Sequence, residues 1–331
     1  MSTSRGFELY RGTEAADTSR TVGLDLLRIC MALMVVGLHG HFLSDVDQRA
    51  SYLLVEGLFR VAVPVFFLIS GYYLQRMDRR GFGRWVRHVL WLYVLWMAIY
   101  VFQWWPTTQP TLAGLCGRLA FGYYHLWFLI ALALAGAMLF AVRAWSTAQL
   151  LAVVLPFVLL GLAIQYAGNY HLLGDDMDRR LNQLLVYRNF LLFGFPFLTI
   201  GFLLARHEMG LRISTWTLVG ALSFGFASLS VEAALNLRLA GARETFDLLF
   251  SLYLVAPALL LWAMRLNVPV QIPGKDLAQF ATGLYLVHVL VLKALGAHAG
   301  LSATPKVICC LVVSAALAAV LVRMNRRLPV L

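Results

Sequence analysis

The stretch RICMALMVVGLH, residues 28–39, is an apolar run with a basic side chain at each end, Arg28 and His39. Eleven positions separate the two residues, and at about 100° per residue they fall within about 20° of each other around a helix. At about 1.5 Å per residue they stand roughly 16 Å apart along its axis. Ionisable groups within a membrane span normally face the bundle interior or a water-filled cavity. The stretch therefore predicts a transmembrane helix with one polar face lining a passage.

The rest of the chain is apolar enough to surround such a helix with others. Hydrophobic residues make up 61% of the 331 residues and the mean hydropathy is +0.76, against about 45–50% apolar residues in soluble domains. Runs of about 20 apolar residues, the length that crosses a hydrocarbon core, recur from residue 24 almost to the C-terminus. We therefore predict an all-α polytopic bundle of about ten spans. They are expected near 22–43, 56–75, 88–105, 121–142, 148–167, 186–205, 214–233, 246–264, 278–296 and 305–322.

Basic residues orient this predicted bundle. An even number of spans leaves both termini on one side, and most arginines and lysines then fall in the loops of that side. The positive-inside rule makes that side cytoplasmic, so the net charge of +11 reflects topology and nucleic acid is not an expected partner. We predict a polar cytoplasmic tail over 1–20 without a signal-peptide pattern, a single membrane domain over 21–323 and a short cytoplasmic tail over 324–331.

The residue types leave several functions open. Arg28 could be a packing arginine paired with Asp25, three residues earlier, and His39 could be a core histidine satisfied by its neighbours. A transporter or flippase for a polar solute or a lipid-linked sugar could also place polar residues along a passage, although we find neither duplicated halves nor a matched pair of broken helices. The four cysteines show no paired metal-ligand spacing, so we predict no metal.

Five motifs in order resemble the acyltransferase-3 family of integral-membrane O-acyltransferases. They are GLDLLRICMALMVVGLH (23–39), VAVPVFFLISGYYL (61–74), FGRWVRHVLWLY (82–93), HLWFLIALALAG (125–136) and TGLYLVHVL (282–290). That family moves an acyl group, commonly acetyl, from cytoplasmic acyl-CoA to a hydroxyl of a glycan or another acceptor at the outer face. The resemblance implies acetyl-CoA as co-substrate, with succinyl or longer acyl groups left open, and a bacterial inner-membrane location.

The resemblance also implies roles for individual residues. A basic residue, ten intervening residues and a histidine mark the family's first helix, so His39 is implied as the catalytic residue and Arg28 as its essential partner. A histidine with a pKa near neutrality suits general-base removal of the acceptor's proton, and a transient acyl-histidine relay is the variant. Arg84 and Arg87, then Arg76, match positions for binding the phosphates of coenzyme A, although positive-inside loops would also carry them.

A further set of residues is predicted to lie on the acceptor side or to support the site. Trp127 could equally belong to an interfacial aromatic belt, and Ser70 could serve helix packing. The full set comprises Arg60, Ser70, His125, Trp127, Tyr285 and His288. The expected acceptor is a glycan such as an exopolysaccharide, or a lipid-linked sugar, with membrane lipids and polysaccharide assembly proteins as further partners. A sensor or scaffold with a decayed site is the remaining alternative, and the retention of Arg28 and His39 argues against it.

Overall fold

A computed structural model describes residues 8–108, 111–266, 273–298 and 300–331, with side chains described from Val22 onward except at His298. Throughout this described part the secondary structure is helical and contains no strand, which confirms the predicted all-α class. The described ranges contain eleven principal helices. They are α1 Glu8–His39, α2 Gln48–Leu74, α3 Arg79–Ile99, α4 Leu112–Phe121, α5 Tyr124–Val142, α6 Thr147–Asn169, α7 Phe190–Arg206, α8 Thr215–Leu239, α9 Leu252–Ala263, α10 Gly274–His298 and α11 Ala303–Met324.

Short helical segments join some of these elements. Val101–Thr107 follows α3 with a bend of 59°, and single helices occupy Asp175–Leu181, Leu184–Tyr187 and Met209–Arg212. Within the described residues, seven helices are long and apolar enough to cross a membrane, and α3 with its bent continuation would make an eighth. The chain is therefore a multi-pass membrane protein. The count of about ten spans, the cytoplasmic termini and the tail boundaries stay predictions; part of the tail over 1–20, residues 1–7, lies outside the described residues.

The core of the bundle is formed by α1, α2, α7 and α10. Helix α1 packs against α2 and α10, α2 packs against α7, and α10 packs against α11. Helices at the periphery expose large apolar side chains, such as Trp216 and Phe224 on α8 and Val312 on α11. Such exposed apolar faces are expected where lipid replaces water as the neighbour.

A reciprocal glycine contact sets the approach of α2 to α7. A Cβ atom added to Gly71 would collide with the carbonyl oxygen of Leu198, and one added to Gly201 would collide with the carbonyl oxygen of Leu68. Small residues at helix interfaces let membrane helices approach closely and gain van der Waals contact. The glycine of the FFLISG motif is therefore required by backbone packing.

We expect Gly71→Val and Gly201→Val each to lower the free energy of unfolding by about 1–3 kcal/mol, the usual cost of overpacking a rigid core. Gly220→Val on α8 is the matched control, because a Cβ atom there meets nothing within 4 Å. The thermal midpoint of the purified proteins in one detergent checks this. Equal midpoints for Gly71→Val and Gly220→Val would contradict the packing role.

Candidate active site

Two histidines meet at the end of α1. His39 Nδ1 lies 2.8 Å from His288 Nε2, and His288 Nδ1 lies 2.5 Å from the carbonyl oxygen of Tyr285. A carbonyl oxygen only accepts hydrogen bonds, so His288 carries its proton on Nδ1 and its Nε2 accepts from His39 Nδ1–H. This hydrogen-bond network therefore assigns the lone pair of neutral His39 to Nε2, the atom that a general base needs.

The predicted residues of α5 and α10 gather around this pair. His125 is buried, and its ring centroid lies 4.9 Å from that of His288 and 6.4 Å from that of His39. The Tyr285 hydroxyl donates to the carbonyl oxygen of His125 over 2.6 Å, which ties α10 to the start of α5. Tyr285 and His288 thus share one face of α10, three residues apart, as predicted. Among the described histidines, cysteines and acidic residues, no group of three is placed to hold a metal ion.

A cleft of about 510 Å³ reaches His39 from the surface. Its lining includes Trp127, whose ring lies 5.2 Å from the guanidinium carbon of Arg188. The cleft is broad enough for part of a sugar, and it combines aromatic faces with charged groups. The predicted Arg60 and Trp127 therefore lie at the same cleft as His39, while His125 lines a smaller adjoining cavity.

A network of four charged side chains forms one wall of the cleft. Arg60 bonds to Glu56, four residues earlier, and to Asp247. Arg188 approaches the same Asp247, with Nε 3.0 Å from Oδ2 and Nη2 donating to Oδ1 over 3.2 Å. Sequence reasoning missed Glu56, Arg188 and Asp247. The signal that could have found them is an ionisable residue within or beside an apolar run, which is a functional hypothesis by default in a membrane.

Irregular helix turns place this network. Within α2, a π-turn over Leu53–Gly57 and a 3₁₀ turn over Leu58–Val61 separate the regular segments Gln48–Tyr52 and Ala62–Leu74. A second π-turn over Phe190–Gly194 opens α7. Asn189 begins that second turn, with its Oδ1 accepting from the backbone N–H groups of Leu191 and Leu192 at 2.9 Å. Single π-turns often occur at functional sites because they shift the register of side chains. Here Glu56 and Arg60 lie within the irregular turns of α2, and Arg188 lies two residues before the π-turn that opens α7.

The loop after α1 holds the His39 end of the helix. His41 and Leu43 adopt left-handed backbone conformations, with φ of 53° and 66°, which cost free energy and require support from neighbouring contacts. Asp45 provides that support by accepting hydrogen bonds from the N–H and Oγ1–H of Thr304, at 3.0 and 2.5 Å. Hydrogen bonds from Ser302 and Thr304 also lower the pKa of Asp45 to about 2. The carboxylate thus fastens the loop to the start of α11.

Arg28 lies at the other end of the polar face of α1. Its guanidinium bonds to Asp25 and lies 5.3 Å from the ring centroid of Tyr73 on α2. The pairing with Asp25 that the sequence left open is present. Arg28 keeps 24% of its side chain exposed, so the pair leaves part of its guanidinium group accessible.

The predicted donor-binding arginines lie near the Arg28 end of the bundle. The guanidinium of Arg76, just after α2, lies 5.8 Å from the ring of Tyr72, the neighbour of the tyrosine that Arg28 contacts. Arg84 and Arg87 are exposed on the first turns of α3, where Arg87 Nε donates to the carbonyl oxygen of Gly83. Exposed arginines with few fixed partners can rearrange around phosphates.

Ser70 differs from the other predicted site residues in its contacts. Its hydroxyl donates to the carbonyl oxygen of Phe66 on the same helix over 2.8 Å, and it does not line the described cleft. This bond to the carbonyl four residues earlier is common for serine within helices. The structure therefore places Ser70 in α2 with a local bond, near the glycine contact with α7.

Comparison with known proteins now gives the family. The profile of the acyltransferase-3 family, an acyltransferase domain, matches residues 21–323. A serine/alanine racemase from Enterococcus gallinarum is 44% identical over 52 residues, 16% of this chain and 7% of that protein. An amino-acid racemase from Enterococcus faecalis is 42% identical over 55 residues, 17% of this chain and 8% of that protein. The chain thus matches less than a tenth of the length of these curated relatives, and no solved structure matches it. With its profile match over nearly the whole chain, this multi-pass membrane protein belongs to the acyltransferase-3 family.

Proposed function

We propose that this protein is an O-acyltransferase that moves an acetyl group from cytoplasmic acetyl-CoA to a hydroxyl of a glycan at the outer face of a bacterial inner membrane. The observation that carries the proposal is the hydrogen-bond chain from His39 through His288 to the Tyr285 carbonyl. It leaves Nε2 of His39 as a base beside a cleft of about 510 Å³. A base and an acceptor-sized cleft at one point are what transfer to an alcohol requires.

In the proposed reaction, His39 is the one residue that takes up and returns a proton. His39 Nε2 accepts the proton of the acceptor hydroxyl while the hydroxyl oxygen attacks the thioester carbonyl carbon. The C–S bond of the tetrahedral intermediate then breaks. The departing thiolate takes the proton back from Nε2, which yields the ester, free coenzyme A and neutral His39. An acyl-histidine relay would use the same nitrogen as nucleophile and stays the variant mechanism.

The donor is proposed to enter from the Arg28 end of α1. Arg76, Arg84 and Arg87 would bind the phosphates of coenzyme A, and Arg28 would contact the inner part of the donor along the polar face. About 16 Å of helix, at about 1.5 Å per residue, separates Arg28 from His39. That is a suitable length for the extended pantetheine arm to reach across. Exopolysaccharide or a lipid-linked sugar is the proposed acceptor, with polysaccharide assembly proteins as partners.

Radiolabelled acetyl transfer tests the function directly. Membranes from cells that carry the protein, and matched membranes that lack it, are supplied with acetyl-CoA labelled in the acetyl group, and label is counted in extracted glycan. We expect label in glycan only with the protein present. Label from succinyl-CoA but not acetyl-CoA would correct the donor, and absence of label from acetyl-, succinyl- and longer acyl-CoA donors would refute the acyltransferase proposal in favour of transport.

We expect His288→Ala to lower kcat about 10- to 100-fold with KM nearly unchanged, the effect of losing one buried hydrogen bond of about 1.5–3 kcal/mol in the transition state. His288 acts through His39, so the acid limb of the pH–rate profile should move as well, which a loss of packing would not cause. His288→Gln should recover part of kcat because an amide oxygen can still accept from His39 Nδ1–H. A wild-type kcat and pH profile in His288→Ala would contradict this role.

A further inference from the structure

The charged residues of the cleft do not balance. Three arginines, Arg60, Arg118 and Arg188, line it together with two carboxylates, Glu56 and Asp247. The cleft therefore carries one positive charge in excess, before His39 takes up any proton. Charges placed where water is scarce are normally paired, because leaving one uncompensated is costly.

Both carboxylates are already committed to Arg60. Arg60 bonds to Glu56 and Asp247, and Arg188 shares Asp247. The side chain of Arg60 is only 6% exposed, and its Nε has no hydrogen-bond partner in the described part of the chain. Arg188 Nε lies 3.0 Å from Asp247 Oδ2 but is not aligned for a hydrogen bond. The buried guanidinium group of Arg60 and the partly buried one of Arg188 thus retain unused donor capacity at the cleft.

Arg118 brings the unpaired charge. Its Nε donates to Thr108 Oγ1 over 3.3 Å and its guanidinium carbon lies 5.7 Å from the ring of Tyr123. No described carboxylate lies within ion-pair distance of it. Lys293 donates to the hydroxyl of the same tyrosine, Tyr123. Its ammonium lies 5.9 Å from the ring of Tyr124, which lines the cleft. Lys293 therefore adds a second positive charge, beside that of Arg118, near the Tyr124 wall of the cleft.

We infer that the cleft binds an acceptor that carries an anionic group, a carboxylate or a phosphate, which Arg118 and Arg188 hold while a neighbouring hydroxyl meets His39. Arginine binds both groups through paired N–H donors, and Trp127 and Tyr124 offer ring faces to a sugar. The inference rests on the proposed transfer to a glycan and narrows its substrate class to acidic sugars. A neutral sugar would leave the excess charge uncompensated.

Binding to the purified full-length protein in lipid nanodiscs tests the inference without any acyl donor. Three probes are compared by titration: methyl glucuronide with a carboxylate, glucose 6-phosphate with a phosphate, and neutral methyl glucoside. We expect at least one acidic probe to bind about tenfold or more tightly than methyl glucoside. The tighter acidic probe identifies the recognised group. Equal binding of all three probes would overturn the inference.

Arginine variants assign the preference to the cleft. Arg118→Gln and Arg188→Gln should each remove most of the preference, and Arg118 lacks a carboxylate partner whose loss could unfold the protein. Arg238→Gln is the control, because Arg238 is an exposed arginine on α8 that does not line the cleft. Retention of the full preference in both cleft variants would contradict the assignment.

The binding assay separates this inference from the proposed function. Acidic preference without acyl transfer from acetyl-, succinyl- or longer acyl-CoA donors would leave the anionic site standing and refute the transferase proposal. Acetyl transfer without acidic preference would support the transferase proposal and refute the anionic site. Where transfer occurs, Arg118→Gln should raise KM for an acidic acceptor about tenfold with little change in kcat, because ground-state binding is what it loses.

Discussion

Replacing His39 with alanine is expected to lower acetyl transfer about 100- to 10,000-fold, the range that a positioned general base contributes. The loss arises because the substitution removes Nε2, the nitrogen that the bond from His39 Nδ1 to His288 Nε2 leaves free at the cleft. His39 is partly exposed to the cleft, so its removal should leave the bundle folded. Membrane insertion and the thermal midpoint should therefore stay close to those of the wild type.

The matched control for this prediction is His171→Ala. The His171 side chain is 56% exposed and does not line the cleft. Initial rates of labelled acetyl transfer are compared at equal amounts of folded protein for the wild type and the two variants. A rate for His39→Ala within a few-fold of that of His171→Ala would refute general-base catalysis by His39.

Asp247→Asn is expected to lower the free energy of unfolding by about 3–5 kcal/mol, the usual result of removing one partner from a buried charge network. Asp247 is buried and accepts from both Arg60 and Arg188. Its neutralisation leaves two guanidinium groups facing each other with Glu56 as the single remaining carboxylate of the network. The thermal midpoint in detergent measures the effect.

A second substitution tests the electrostatic origin of that loss. In the Asp247→Asn background, Arg188→Gln removes one of the two crowded positive charges, so the double variant should be more stable than the sum of the single changes indicates. Asp276→Asn is the surface control, since Asp276 pairs over 3.0 Å with the 69% exposed Arg326 and such pairs are worth about 0–1 kcal/mol. Additive effects of the two cleft substitutions would contradict a coupled network.

Helical periodicity predicted those parts of the site that lie on one element. Arg28 and His39 share a face because eleven positions of a regular helix close almost three turns. Tyr285 and His288 share a face for the same local reason. The irregular turns before Ala62 and Phe195 break this regular spacing, so periodicity could not orient Arg60 or Arg188.

The amino-acid sequence by itself determined that the chain is an all-α membrane protein of the acyltransferase-3 family with a polar face on its first long helix. Hydropathy, helical repeat and local motifs depend only on neighbouring residues, which is why they could be read directly. Tertiary structure alone decided that His288 bonds to His39, and that Glu56, Asp247 and Arg188 surround Arg60. Arg60 and Asp247 are 187 residues apart in the sequence, and His39 and His288 are 249 apart. Such pairings follow from which helix faces pack together. In a helix bundle, that choice depends on close contacts such as those of Gly71 and Gly201.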